Sequence, residues 1–136
     1  MRAQLQAERF WQFVTLNLDG SATATPLWVD IDGDLILVNT AIGRRKERNV
    51  RRDPRVVLAL IGEDDPYEYT EIQGRVVEFV EGDEADASFD AFARKYQGRD
   101  AIRRAGEQRV LLRIEPTYVY SKIDPGSPRF RAETAS

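Results

Sequence analysis

The stretch of residues 25–55 constrains the fold more than any other part of the chain. It places two apolar strands and a tight turn directly before a strongly basic helix. Residues 25–31 predict one strand, an Asp-Gly turn signal follows, and residues 35–40 predict its hairpin partner. Seven arginines and lysines then lie among the twelve residues Arg44–Arg55. Two acids leave this segment at +5, whereas the whole chain is −3, so the cluster indicates one local site for an anionic ligand.

Composition excludes several classes of function. The chain has no Cys, which rules out disulfides, thiolate nucleophiles and Cys-ligated metals. It also has no His, the usual general base and the commonest metal ligand. No apolar run approaches the roughly 20 residues of a membrane span, so we expect a cytoplasmic protein without membrane association. A sequence pI of about 5.1 argues against nucleic-acid binding, which the basic run alone would suggest.

Short apolar runs separated by turn residues predict a mainly β domain. Pro26 indicates a sheet edge or a bulge, because proline cannot donate a ladder hydrogen bond. Gly74 predicts a bend, and Pro116 predicts a break between the last two strands. The continuous apolar run at 56–61 is typical of a strand buried on both faces. The predicted strands span residues 10–18, 22–31, 35–40, 56–61, 67–80, 110–114 and 117–123.

Two helices are predicted between these strands. The basic helix should begin near Gly43 and end before Pro54, since the residue before proline avoids helical geometry. Asp83 is the predicted N-cap of the second helix and Gly98 its end. Its predicted buried stripe consists of Phe89, Phe92, Ala93 and Tyr96. Residues 1–9 predict a short helical or frayed lead-in, and Pro125, Gly126 and Pro128 an irregular tail. The sequence therefore predicts one domain, residues 1–136, in which six or seven antiparallel strands close into a small barrel with helices over its open ends.

A helical wheel at about 100° per residue divides the basic helix into two faces. Lys46 and Asn49 share the face of Val50, the apolar residue that would dock the helix, and are less free than the outer residues. The anion-site hypothesis places a phosphate at the helix N-terminus, beside Thr40, Arg44 and Lys46. A solvated helix face with pairs such as Glu47–Arg51 explains the same run, and this alternative stays open. The predicted outer face consists of Arg44, Arg45, Arg48, Arg51 and Arg52.

Other candidate residues have simpler interpretations. Trp28 fits a core position as well as a ligand platform. The alternating tyrosines of the later strands fit core or dimer surface. Asp30, Asp32 and Asp34 lack the pattern of a calcium loop and are better explained by a hairpin turn, so no metal site is predicted.

The order of residues in three segments resembles the split β-barrel flavin and deazaflavin oxidoreductases, the superfamily named after pyridoxamine 5′-phosphate oxidase. The segments read T-P-x-W-V-D-x-D-G-D, then V-N-T-A-x-G-R-x-K-x-x-N-x-x-R-D-P-R-V, then P-Y-x-Y followed by G-R-V. The resemblance covers about residues 8–122. It is strongest to the actinobacterial branch that uses coenzyme F420, a deazaflavin.

The resemblance implies a homodimer with two cofactor clefts at the subunit interface. The cofactor ring would lie along Thr25, Pro26, Leu27 and Trp28, largely on backbone groups. Tyr67 and Tyr69 of the second subunit would wall the substrate side. The phosphate end would meet residues on the strand and helix that follow, namely Asn39, Thr40, Ala41, Arg44, Lys46 and Asn49.

The implied activity is hydride transfer from reduced F420 to a conjugated acceptor such as an enone, a quinone or a biliverdin-like tetrapyrrole. No catalytic side chain is expected, because the cofactor carries the hydride. Two alternatives remain: an FMN-dependent oxidoreductase on the same fold, since FMN also ends in phosphate, and a non-catalytic protein that binds F420 or a tetrapyrrole.

Overall fold

The computed structural model describes residues 1–122 and 131–133, which form three helices and eight strands. The predicted irregular segment at residues 125–128 lies outside the described residues. Among the described helices, none is long and apolar enough to cross a membrane. The helices are α1 (Arg2–Gln6), α2 (Arg45–Arg52) and α3 (Asp83–Gln97). The strands are β1 (Trp11–Leu16), β2 (Ala22–Leu27), β3 (Asp30–Asp32), β4 (Leu35–Ala41), β5 (Arg55–Ile61), β6 (Tyr69–Glu81), β7 (Arg109–Lys122) and β8 (Arg131–Glu133).

All eight strands belong to one antiparallel sheet in the order β2-β1-β5-β6-β7-β4-β3, with β8 added to β7. Side chains from both halves of this sheet meet in one core, where Trp11, Phe13, Ile36 and Leu112 are fully buried. The sheet therefore curves around a single core and stays open between β2 and β3. This arrangement confirms the predicted mainly β, split-barrel class.

The predicted strand 22–31 is two strands, β2 and β3, with a break at Trp28 and Val29. Helix α3 causes the break, because it uses the backbone groups of Val29 that a strand partner would need. The Val29 N–H donates to the Tyr96 hydroxyl at 3.1 Å, and Lys95 Nζ donates to the Val29 carbonyl at 2.7 Å. Pro26 lies on β2, the edge strand of the sheet, as predicted.

The predicted break at Pro116 is wrong, since β7 runs continuously through it. Pro116 pairs with Gly74 of β6 at a register shift, beyond the last residue that β4 pairs and before the first that β8 pairs. Pro116 therefore lies between the part of β7 that pairs with β4 and the part that pairs with β8, where a backbone N–H is not needed for either pairing. A Cβ at Gly74 would lie 2.8 Å from the Glu115 carbonyl oxygen, so this crossing requires glycine.

The bounds of the helices follow the predictions except at one cap. Of the predicted buried stripe of α3, Phe92 and Ala93 are buried, whereas Phe89 and Tyr96 are half-buried. Helix α2 ends at Arg52, before Pro54, and Gly98 ends α3 in the left-handed conformation. The N-cap of α3 is Gly82 with φ 78°, so the predicted cap Asp83 is the first helical residue. The rigid turn out of β6 needs positive φ at the cap, which glycine accepts most readily.

Strand β5 is buried on one face only, which corrects the prediction of burial on both. Val56, Leu58 and Leu60 face the core, whereas Val57 and Ala59 on the other face are half-buried and Ile61 is 59% exposed. The apolar composition of this strand thus leaves an uncovered apolar strip on the outside of the sheet.

Candidate functional site

A cavity of about 290 Å³ lies where the end of β2 meets the start of α2. Helix α3 and the segment that connects it to β7 complete its walls. Of the ten residues that the sequence predicts for the cofactor, six line this cavity: Pro26, Leu27, Trp28, Asn39, Arg44 and Lys46.

Lys46 connects the basic helix to the edge strand. Its Nζ donates to Thr25 Oγ1 at 3.3 Å, which places Thr25 at the margin of the cavity. Burial lowers the pKa of Lys46, and the nearby charges of Arg44 and Arg109 lower it further. Among the described residues, Lys46 has no ion-pair partner, so three cations converge here with little compensation.

The start of α2 is capped from within the helix. The buried Glu47 carboxylate accepts a hydrogen bond from the Gly43 N–H at 2.8 Å and one from Arg51 Nε at 2.8 Å. Val50 is 1% exposed and docks the helix on the barrel, as the wheel indicates. Arg51 also pairs with Glu81 at 3.1 Å, so its charge is used within the protein.

Three of the predicted cofactor residues lie outside the cavity wall. Thr40 and Ala41 are buried in β4, and Thr40 Oγ1 has no hydrogen-bond partner within the described part of the chain. Asn49 is buried beneath α2, where its Nδ2 donates to Thr15 Oγ1 at 3.0 Å and to Asn17 Oδ1 at 2.9 Å. These bonds hold the helix against β1 and the turn that follows it. A helical wheel shows that Asn49 faces the barrel, but it does not show whether the side chain contacts the protein or a ligand.

Trp28 forms an aromatic wall of the cavity with support from α3. Its ring stacks on Tyr96 with centroids 5.4 Å apart and 11° between the planes. The Tyr96 hydroxyl donates to the Arg9 carbonyl at 2.7 Å, which fixes the ring that Trp28 rests on. Phe10 packs at a tilt on the same ring and lines the cavity while 62% exposed.

Arg109 is a cavity residue that the sequence analysis did not identify. It is 9% exposed, and its guanidinium lies 3.7 Å from the centre of the Phe89 ring. Its Nε donates to Asn39 Oδ1 at 2.9 Å and its Nη1 to Glu107 Oε1 at 2.5 Å. Burial lowers the pKa of Arg109, and the bond from Arg109 lowers the pKa of Glu107. Arg44 also approaches Glu107, at 3.7 Å.

The segment between α3 and β7 supplies three of the seven cavity residues that the sequence did not predict, namely Ile102, Arg104 and Glu107. Four arginines lie among residues 99–109, and this basic run was the signal that the sequence offered. With Arg104 from this segment and Arg109 at the start of β7, the cavity has four cationic side chains against the carboxylate of Glu107. Its charge therefore favours an anionic ligand strongly.

Tyr67 and Tyr69 do not line this cavity. Tyr67 lies in the turn before β6 and is 71% exposed, and Tyr69 is the first residue of β6 and is 40% exposed. The Tyr69 ring lies 5.6 Å from that of Tyr120. Within residues 1–122 and 131–133, no group of three Asp or Glu side chains is arranged to hold a metal, including the aspartates at 30, 32 and 34.

The sequence model of pyridoxamine 5′-phosphate oxidase matches residues 1–123. The chain belongs to the pyridoxamine 5′-phosphate oxidase family. This family comprises flavin-binding proteins of oxidoreductase type. Its matched region includes both strands and the basic helix that surround the cavity. Comparison with curated proteins gives no match.

Several solved structures have the same fold as this chain. An F420 reductase is 24% identical with a TM-score of 0.76, over 87% of this chain and 94% of that one. A conserved hypothetical protein from Mycobacterium tuberculosis is 23% identical with a TM-score of 0.66, over 88% and 86%. General Stress Protein 26 from Bacillus anthracis is 17% identical with a TM-score of 0.67, over 96% and 92%. At these identities the likeness shows the fold.

Proposed function

We propose that this protein is a coenzyme F420-dependent reductase that transfers a hydride to a conjugated small molecule such as an enone, a quinone or a biliverdin-like tetrapyrrole. The observation that carries the proposal is the cationic cavity, where Arg44, Lys46 and Arg109 converge beside the edge strand β2. The similarity to a solved F420 reductase supports the choice of cofactor.

The cavity residues fit a ligand that ends in phosphate. Lys46 donates to an uncharged hydroxyl and is held half-buried without a carboxylate, so its charge is left for a ligand. The guanidinium of Arg44 is 3.7 Å from Glu107, too far for a strong hydrogen bond. Lys46 and Arg44 would therefore hold the phosphate, with Thr25 orienting the lysine.

The edge of β2 fits the polar rim of a flat ring system. β2 pairs with β1 on one side only, so backbone N–H and C=O groups along its other edge have no strand partner. Pro26 removes one donor from this edge and leaves its carbonyl oxygen. Trp28, held against Tyr96, would limit how far the ring extends.

When bound, reduced F420 supplies the hydride, so the protein needs no redox-active side chain. The absence of His and Cys from the sequence is compatible with this chemistry. The chain's residues bind the phosphate, orient the ring along β2 and exclude water with Phe89 and Phe92. Burial raises the pKa of Tyr96, and its hydroxyl is bonded to backbone, so we assign the proton of the reduced product to solvent.

We further propose a homodimer that covers the outer face of the sheet. Val14 of β1 and Val57 and Ala59 of β5 form a half-buried apolar strip there, continued by the exposed Ile61. A second subunit on this strip would bury it and bring Tyr67 and Tyr69 near the partner's cavity. Sedimentation equilibrium of the wild type and of Val57→Glu tests this: the wild type should be dimeric and the variant should dissociate.

FMN is the second candidate cofactor, because the family binds flavins and the same cations would hold its phosphate. Fluorescence titration of the purified protein with F420 and, separately, FMN decides between them. Micromolar or tighter binding of F420 with weak binding of FMN supports the reductase. The reverse result identifies a flavin enzyme, and binding of neither contradicts the proposed function.

Turnover separates the reductase from a non-catalytic carrier. With reduced F420 bound, a reductase oxidises the cofactor at a rate that depends on the acceptor concentration. A carrier binds the cofactor but shows no acceptor-dependent oxidation with enones, quinones or biliverdin.

A further inference from the structure

The cationic side chains of the cavity come from two separate parts of the chain. Arg44 and Lys46 belong to the start of α2, whereas Arg104 lies in the segment between α3 and β7 and Arg109 is the first residue of β7. The proposed function assigns the first pair to the cofactor phosphate. The second pair is then available for another anionic group in the same cavity.

The guanidinium of Arg109 is buried and held in one orientation by its neighbours. Its Nε and Nη1 are committed to Asn39 and Glu107, and Asn39 is itself held through the Ala85 carbonyl at 2.9 Å. Stacking on Phe89 fixes the plane of the guanidinium. Its Nη2 makes no hydrogen bond to any described residue, and Arg109 lines the cavity. The guanidinium is thus oriented, desolvated and left with donor capacity.

Arg104 is a cation without an ion-pair partner among the described residues, although acids are close by in the chain. Those acids are used elsewhere: Asp90 pairs with Arg103 at 2.7 Å and Asp100 with Arg94 at 2.6 Å. A turn in which the Glu107 N–H donates to the Arg104 carbonyl at 3.1 Å sets Arg104 at the cavity wall.

The wall around this second pair is apolar and open. Ile102 is 71% and Phe10 is 62% exposed, and both line the cavity together with the Phe89 ring. Arg104 has no ion-pair partner among the described residues, and Arg109 shares the Glu107 carboxylate with Arg44. Exposed apolar side chains beside these arginines fit a ligand with a flat apolar body and one anionic end.

We propose that the acceptor carries a carboxylate, bound by Arg104 with Arg109 behind it, while its conjugated body rests on Phe10, Phe89 and Ile102. This rests on the proposed function, because it names the class of acceptor for the same cavity. Arginine binds carboxylates through two parallel N–H donors, so an acid is preferred over its uncharged ester.

A matched acid and ester that lack the conjugated carbon–carbon double bond of an enone test this proposal by binding to the protein with oxidised cofactor. Calorimetry measures the affinity of 3-benzoylpropionate and of its methyl ester for the F420-loaded protein. The wild type should bind the acid more tightly than the ester. Arg104→Gln should weaken acid binding about tenfold, the usual effect of one charge-assisted contact, and change ester binding less than about twofold.

Two further variants separate charge from structure. Arg103→Gln removes the neighbouring arginine, which pairs with Asp86 and Asp90 outside the cavity, and should leave both affinities unchanged. Arg104→Lys should recover part of the preference for the acid. Equal losses for acid and ester, or an equal effect of Arg103→Gln, would overturn the proposal, as would a wild type without preference for the acid.

The same titration on the cofactor-free protein distinguishes failure of the proposed F420 function from failure of the proposed carboxylate site. If F420 fails to bind, the proposed function fails. A preference for the acid that disappears in Arg104→Gln still establishes the carboxylate site. If F420 binds but no such preference exists with or without it, the reductase proposal stands and the acceptor class is wrong.

Discussion

Replacing Lys46 by Met should change ligand affinity and protein stability in opposite directions. The ammonium is half-buried, and its pKa is lowered by burial and by Arg44 and Arg109. A lysine whose folded pKa lies below 10.5 binds its proton less tightly in the folded state than in the unfolded chain. Protonated Lys46 therefore opposes folding at neutral pH, and the methionine variant should be more stable without ligand.

The magnitudes follow from the surroundings of Lys46. A lost charge-assisted contact to a phosphate is worth about 1.5–3 kcal/mol. Since Lys46 is only half-buried and two arginines remain, we expect about 1.5–2 kcal/mol, or roughly 10–30-fold in the Kd of F420. Removing this charge should raise the Tm of the ligand-free protein, because burial disfavours the ammonium in the folded state.

Two assays on the same preparations test this prediction. Fluorescence titration gives the Kd of F420, and thermal unfolding without ligand gives the Tm. The stability difference between Lys46→Met and wild type should shrink as the pH rises toward 10.5, because wild-type Lys46 loses its proton in the folded state. Arg55→Met is the control, since Arg55 is exposed and pairs with Asp53 outside the cavity. A lower Tm with an unchanged Kd would show that Lys46 is structural and refute the reasoning.

Three further predictions concern stability. Arg51→Ala should lower the unfolding free energy measured in urea by about 1–3 kcal/mol, because it leaves the Glu47 carboxylate buried without its cation. The Kd of F420 should change less than about twofold. A loss of affinity as large as the loss of stability would contradict the assignment of helix faces. Gly74→Ala should lower the unfolding free energy by about 1–3 kcal/mol, because the added Cβ would lie 2.8 Å from the Glu115 carbonyl oxygen. An unchanged midpoint of urea unfolding would show that β6 and β7 can separate at this position. Asp53→Asn should reduce the acid sensitivity of unfolding, because the hydrogen bond from Arg55 lowers the pKa of Asp53 from 3.8 to about 2. The stability that this exposed pair contributes is present above pH 3.8 and is lost as the pH falls toward 2. An unchanged acid-unfolding curve would count against this prediction.

Local sequence signals predicted most strands and helices because they depend on neighbours in the chain. Gly98 ends α3 and Pro54 follows α2 for reasons that act within a few residues. The predictions failed where a distant element decides. Helix α3 interrupts the strand at Val29, and Gly74 of β6 allows β7 to pass through Pro116 without a break.

The candidate site divides in the same way. The basic helix and the motif before it led to Lys46, Arg44 and Trp28, which are near one another in sequence and line one cavity. Arg109 was missed because its role depends on Phe89, Asn39 and Glu107, which lie on three different elements.

The sequence by itself determined the fold class, the family and the presence of a local anion-binding cluster, because alternation, turn residues and charge density are properties of short segments. Only the tertiary structure decided which cations face the cavity. Arg51 is neutralised by Glu47 and Glu81, and Asn49 is bonded to β1. Lys46, beside β2, has no ion-pair partner in the described part of the chain. The positions of charged residues follow from the sequence. Whether an acidic side chain neutralises a given cation depends on which side chains the packing brings within hydrogen-bond distance.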